Sequence, residues 1–250
     1  MKVALSEFLS AAIEANEQVA KFLAENKSAE IFEYADHTEK GIGYGGDRSL
    51  KIDLIAEKFF LDKLHKFGRI DSEECGPVGG GADEIVIDPI DGSANLASQI
   101  PYYGSSIALK QNGVVTESIV CNLACGEYFA RDSRGVFKSK LFDKNRARLP
   151  ILRSPNSPTG IFEKAYQRPE ETKKLIREGL KFRSPGALAL SLAYARAAKF
   201  MLSMGRHRDY DIIAGLHLNS DLRSYISGGL IIISADPAEF ERVKNLFVKG

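Results

Sequence analysis

Apolar and polar residues follow two different rhythms along this chain, and the rhythm changes several times between its ends. Leu5, Phe8, Leu9, Ala12, Ile13, Ala20 and Leu23 fall along a helical stripe, which predicts an amphipathic helix over the first twenty-odd residues. Ile55, Phe59, Phe60 and Leu64 repeat that spacing and predict a second helix over 52–67, where Phe67-Gly68-Arg69 signals a turn. Over 104–139 the period shortens to that of strands, with Asn112-Gly113 as one hairpin turn and Ser133-Arg134-Gly135 as another. Ser184-Pro185 has the form of a helix N-cap followed by proline at the first helical position, opening an apolar helix over 187–201. A core strand is expected over 229–234, then a closing helix over 237–247 capped by Ser234 or Asp236. The basic, aperiodic stretch 138–148 is the candidate joint between an N-terminal half, residues 1–140, and a smaller C-terminal half, residues 141–250. Patterning alone supports an α/β or α+β class in one compact unit, and nothing finer.

Composition narrows the setting without naming a function. With 250 residues, 44% of them hydrophobic, the chain can bury a full core as one domain or two closely joined halves. A net charge of +1 gives no general pull toward nucleic acid or an acidic membrane surface. Cys75, Cys121 and Cys125 are too few and too scattered for a disulfide framework, and the last two lack a second ligand pair for zinc. Glu7 and Glu14 interrupt the first apolar run and no later run approaches a membrane span, so a cytoplasmic setting without a membrane partner is expected.

Candidate chemistry concentrates in Glu84-Ile85-Val86-Ile87-Asp88-Pro89-Ile90-Asp91-Gly92-Ser93. Val86 and Ile87 suggest a buried strand, which places Asp88 and Asp91 just past its carboxyl end, where open α/β sheets keep their sites. Pro89 pushes Asp88 toward an extended conformation, and a turn there can fold Asp91 back toward it. Two hard oxygen ligands so placed suit Mg²⁺. A type I turn with Asp first and Pro second is the other reading, and it needs no metal. Two further acidic segments accompany the run: Glu73-Glu74 upstream, and Tyr210-Asp211-Ile212-Ile213-Ala214-Gly215 much later.

Together these three segments resemble the inositol monophosphatase family, Mg²⁺-dependent, lithium-sensitive phosphatases that include archaeal-type fructose-1,6-bisphosphatases. The family shows an acidic pair, then Asp-Pro-Ile/Leu-Asp-Gly-Thr/Ser, then Trp-Asp-x-Ala-Ala/Gly, in this order. The resemblance spans about 41–215 and implies a layered α-β-α-β-α sandwich. It implies that Glu73, Asp88 and the main-chain oxygen of Ile90 hold one Mg²⁺, and that Asp88, Asp91 and Asp211 hold a second, with Asp88 bridging. In the family the hydroxyl at Ser93, paired with the acid matching Asp53, orients the attacking water beside Glu73. Asp53 also suits the N-cap of the second helix. Gly92 and Ser93 offer backbone N–H groups to a phosphate if 93–98 is helical, and a plain capped turn if it is not. Glu74, on an extended segment, should point away from Glu73 and play a supporting part at most.

The glycine-rich segment 41–47 matches a family loop that closes over the site and can bring an acid to a third metal. Asp47 is that acid here, or simply a solvated loop residue. Arg183 and Ser184 match a segment at a helix start beside the substrate, or form an ordinary capped helix. Arg206 and Arg208 either grip a second phosphate through forked donors or make a solvated basic turn. If they reach the pocket, a sugar bisphosphate fits better than an inositol phosphate. Ser203 or Met204 stands about where inositol phosphatases carry a substrate-binding glutamate, Ser72 replaces a glycine, and Tyr210 replaces the tryptophan. The resemblance thus implies a homodimeric hydrolase of a small phosphate ester, fructose 1,6-bisphosphate or inositol 1-phosphate, using two or three Mg²⁺ per subunit. A 3'(2'),5'-bisphosphate nucleotidase, or a non-catalytic regulatory protein that kept the fold, is the alternative. Asp91→Asn is expected to remove a ligand and little packing.

Overall fold

The computed structural model describes residues 5–26, 28–35, 43–46, 48–151 and 157–248. Helix α1 (Glu7–Glu25) begins at Ser6, whose hydroxyl accepts from the Leu9 N–H at 3.0 Å. Helix α2 (Lys51–Leu64) runs into a 3₁₀ turn, His65–Phe67, so the expected second helix is present with its last turn tightened. Then come β1 (Arg69–Ser72), β2 (Gly76–Val78), β3 (Glu84–Asp91), the short helix α3 (Ser93–Ala97), β4 (Gly104–Gln111), β5 (Val114–Asn122), β6 (Glu127–Asp132) and β7 (Gly135–Lys140). These strands form one sheet in the order β2-β1-β3-β4-β5-β6-β7, antiparallel except for the parallel pair β1–β3. Asn112 and Gly113 both adopt positive φ, 51° and 78°, as a two-residue hairpin that follows the strand twist requires.

A second sheet follows. Its elements are β8 (Gly160–Glu163), α4 (Pro169–Arg177), β9 (Phe182–Arg183), α5 (Leu188–Ala193), β10 (Met201–Met204), α6 (Asp209–Leu218), β11 (Arg223–Ser227), β12 (Leu230–Ser234) and α7 (Pro237–Phe247), with strand order β11-β12-β10-β8-β9. The burial pattern stacks these elements in five layers. Helices α1 and α2 cover one face of the first sheet through Phe8, Ile13, Phe60, Ile85 and Ile107. Helices α5 and α6 lie between the sheets, meeting the first through Leu190, Ala214 and Val120 and the second through Leu192, Met201 and Ile231. Helices α4 and α7 cover the outer face of the second sheet through Leu175, Phe240 and Ile232. This is the expected α-β-α-β-α sandwich. No helix of the described residues is long and apolar enough to cross a membrane.

The expected helix over 187–201 is corrected. It stops at Ala193, passes through a 3₁₀ turn at Tyr194–Arg196, and Met201 opens strand β10. A run this apolar shows little polar face to set a period, so helix and buried strand look alike in sequence. The expected cap fails as well: α5 follows Ala187 with no side-chain cap, and the Ser184 hydroxyl accepts instead from the Ala165 N–H at 3.2 Å. Asp236, by contrast, caps α7 by accepting from the Ala238 N–H at 2.8 Å.

Gly104 shows how tightly β4 is seated beside the end of β3. It pairs with Asp91 on one side and Asn122 on the other, and an added Cβ would sit 2.0 Å from the Cys121 carbonyl oxygen. Since the obstacle is backbone, Gly104→Ala should destabilise by about 1–3 kcal/mol, as overpacked cores do. A urea midpoint equal to that of the parent would contradict this seating.

Candidate metal centre

Residues three apart on a regular strand face opposite sides of the sheet. Asp88 and Asp91 nevertheless reach one cavity. The register between β3 and β4 explains this: Asp88 stands opposite Ser106 and Asp91 opposite Gly104, so three steps on β3 match two on β4. The additional residue is a β-bulge, and Pro89, which has no N–H for the ladder, sits there without loss. Ile87 and Ile90 both bury under α1 and α2, which fixes the parity on each side of Pro89. The Ile90 N–H turns to Asp88 Oδ1 at 2.9 Å. Sequence reasoning placed both acids beyond the strand; the strand in fact continues through Asp91.

The cavity, about 280 Å³, gathers carboxylates from several segments. Glu73 comes from the turn after β1, where its N–H donates to the Ile87 carbonyl at 3.0 Å. Asp211 comes from the first turn of α6, and the neighbouring Tyr210 hydroxyl ties that turn to Asp71 at 3.0 Å. One ligand atom each from Glu73, Asp88 and Asp211 lies within 4.8 Å of the other two, and this is the one such acidic cluster among the described residues. Asp91 stands beside it in a second role. Its oxygens accept from the Leu188 and Leu190 N–H groups at 3.1 and 3.2 Å, so it supplies the cap that α5 lacks in its own sequence. Asp91→Asn would therefore disturb this docking, contrary to the expectation of little packing.

The remaining candidates divide. Asp53, Ile90, Gly92, Ser93, Arg206 and Arg208 all line the cavity. Asp53 is the third residue of α2 rather than its N-cap, with Oδ2 accepting from the Leu50 N–H at 2.8 Å and Oδ1 buried without a partner. Glu74 is corrected: 73–75 turn instead of extending, so Glu74 faces the same cavity and accepts from the Ser49 hydroxyl. Arg183 and Ser184 are not brought there. The Arg183 guanidinium donates to the Phe182 carbonyl at 2.9 Å and lines a different surface pocket, and Gly186, at φ +91°, is where the chain reaches the cavity. Asp47 lies outside the described residues.

Glu163 was not foreseen. It is buried at the end of β8, lines the cavity, and accepts from the Gly186 N–H at 3.1 Å and from the Ser191 hydroxyl. The signal was present in Gly160-Ile161-Phe162-Glu163, an apolar strand ending in an acid like the run before Asp88. Lys164, Arg48 and His207 also line the cavity, with His207 Nε2 at 2.9 Å from the Ser203 hydroxyl.

Burial and mutual repulsion dominate the electrostatics. Burial raises Asp88 well above the usual carboxylate range, and Glu73, Asp91 and Asp211 raise it further. Burial raises Asp91 likewise, then Asp211, with the Leu190 N–H opposing. Asp53 is raised by burial and by Glu74. Glu73 is pushed up to about 7, first by burial, with the Arg208 guanidinium acting against it. A set of hard oxygen donors this close must hold protons or a cation, and the unpartnered Asp53 oxygen adds an unsatisfied acceptor at its edge. The donors fit a hard divalent ion.

Comparison with known proteins agrees. The sequence model of the Inositol monophosphatase family, whose members are metal-dependent, matches residues 4–218. A fructose-1,6-bisphosphatase/inositol-1-monophosphatase of Methanothermobacter thermautotrophicus is 27% identical over 191 residues, 69% of this chain and 67% of that protein. The Nus factor SuhB of Escherichia coli K12 is 28% identical over 203 residues, 76% of this chain and 73% of that protein. Among solved structures, the extragenic suppressor protein SuhB from Bartonella henselae superposes with a TM-score of 0.78 at 19% identity, covering 98% of this chain and 100% of that one.

The raised carboxyls set a pH dependence. A carboxyl whose folded value exceeds its unfolded value favours the fold below the unfolded value, and that advantage is lost as pH rises through the folded one. For Glu73 the window runs from its ordinary 4.5 to about 7, and Asp53, Asp88 and Asp91 shift in the same direction. In chelator, the melting temperature should therefore fall as pH climbs from about 5 to about 8. Millimolar Mg²⁺ should offset the fall at the upper end. A melting temperature that rises across this window in chelator would contradict the assigned shifts.

Proposed function

Because the chain belongs to the inositol monophosphatase family, we propose that it is a Mg²⁺-dependent phosphatase acting on a small sugar or inositol phosphate, with fructose 1,6-bisphosphate preferred. The observation that carries this reading is the convergence of Glu73, Asp88 and Asp211, from three separate segments, within ligand distance of one another. Asp91 and the Ile90 carbonyl would complete the donor set that holds Mg²⁺. Bound Mg²⁺ would neutralise phosphate charge and make a water molecule acidic enough to attack.

The chain's own residues do the rest. Asp53, with its buried unpartnered oxygen, and the Ser93 hydroxyl hold and orient that water, and Asp53 or Glu73 takes its proton. Burial raises both acids above the ordinary carboxylate range, Glu73 to about 7, which suits a base working near pH 7. The N–H groups of Gly92 and Ser93 border the phosphate position. Arg206, Lys164 and Arg48 add positive charge to the lining of the cavity, which suits an ester carrying a second phosphate. Ser203 offers no carboxylate to an inositol hydroxyl. A homodimeric state rests on the family resemblance, and a cytoplasmic setting on Glu7 and Glu14 interrupting the first apolar run.

The likeness to proteins named Nus factor SuhB favours a second reading, a regulatory protein that kept the fold. Phosphate release separates the two. Fructose 1,6-bisphosphate should be hydrolysed faster than inositol 1-phosphate or adenosine 3',5'-bisphosphate, with Mg²⁺ required and Li⁺ inhibitory. Release from none of these at any Mg²⁺ concentration would favour the regulatory reading. Asp211→Asn, at a half-buried position that caps nothing in α5, should lower kcat by at least about 10²-fold with a near-parental melting curve. Near-normal turnover would remove Asp211 from the site.

A further inference from the structure

Arg208 immediately precedes α6, and its guanidinium lies within the acidic cluster rather than beside it. Nη1 is 2.6 Å from Glu73 Oε1. Nε and Nη2 are each 3.1 Å from the two Asp211 oxygens, Oδ2 and Oδ1. Nη1 also donates to the Gly45 carbonyl at 3.3 Å. One fork therefore engages both oxygens of Asp211 and one of Glu73, and these are two of the three residues in the cluster.

Forked pairing is the strong form of the arginine–carboxylate contact. The Arg208 side chain is only 26% exposed, so water competes weakly for it. A divalent ion taking Glu73, Asp88 and Asp211 as ligands needs lone pairs on which this fork rests. Its two charges would also stand a few ångströms from a guanidinium that cannot lose its proton. The ion and the arginine compete for two of the same three carboxylates.

We propose that Arg208 is the protein's own counter-cation for this cluster and a positioning residue for metal loading. It holds Glu73 to Asp211 in the metal-free protein, leaves Asp211 when Mg²⁺ binds, and so keeps the affinity below what the carboxylates alone would give. The inference rests on reading the cluster as a metal site. It adds that the site responds to metal concentration instead of staying saturated, because each binding event must first break the fork.

The test is Mg²⁺ titration by calorimetry of the full-length, chelator-stripped protein and of Arg208→Gln and Arg208→Lys, with melting curves of each. If the fork restricts the binding-competent population, Arg208→Gln should tighten the Mg²⁺ Kd by about tenfold. It should also melt lower than the parent in chelator and gain more on adding Mg²⁺. Arg208→Lys should fall between, since one ammonium group cannot grip both residues, and it carries the comparison if the glutamine variant does not fold. Removing a positive charge could tighten binding without displacement, so the Arg208 Nε–H resonance, assigned by its loss in the lysine variant, is followed as well. It should shift toward solvent-exchanging values as Mg²⁺ saturates the parent. A parent that binds Mg²⁺ with that resonance unmoved, or a glutamine variant of equal or weaker affinity, overturns this inference and leaves the metal site standing. No Mg²⁺ binding by any of the three proteins overturns both.

Discussion

Mutual repulsion among carboxyl groups gathered in one cavity is the constraint around which this molecule is organised. Asp53, Glu73, Asp88 and Asp91 are all buried, and burial raises each of them above its ordinary range. Such a group persists only where surrounding structure holds it and something offsets its charge. The holding comes from both sheets: Glu73 and the two aspartates of β3 belong to the first, while α6 brings Asp211 from the second sheet's part of the chain. The offset comes from Arg208, from backbone N–H groups, and from whatever cation the cluster takes up.

The same acids also hold the layers together. Asp91 caps α5 with its side chain, and Glu163 binds the Gly186 N–H just before that helix, so α5 is anchored by one carboxylate from each sheet. This explains why its own sequence carries no cap: Ala187 precedes it, and Ser184 is occupied elsewhere. Chemistry and architecture share these residues. A change at either acid alters where α5 sits as well as what the cavity binds.

Much of the site was legible in the chain because it is written in short segments: an apolar run, two acids, a glycine, a hydroxyl. Helices with one wet face, α1, α2 and α7, were equally plain. The misses share physical causes. Most of the 187–201 segment is buried and its one exposed position is an alanine, so no polar face betrayed the change from helix to strand at Met201. Arg183 fell in a matching segment but on the wrong side of Gly186, whose positive φ carries the chain away from it. Glu74 was misjudged because a turn, with no period of two, replaces the assumed extended backbone. Glu163 repeated the strand-then-acid pattern of Asp88, yet without a second acid nearby it drew no notice.

The bulge at Pro89 carries a further consequence. Excising that single residue would let β3 and β4 zip together without interruption, and the sheet would lose no hydrogen-bond donor, since proline brings no N–H of its own. Asp91 would then stand two places from Asp88 on a regular strand and keep facing the cavity, so the bulge is what absorbs the odd step between the two acids. Every acid would still be present in the chain. What makes two of them neighbours is the even step counted along β4, which the bulge imposes on an odd spacing in β3, so the centre is specified by a count of backbone units as much as by any side chain.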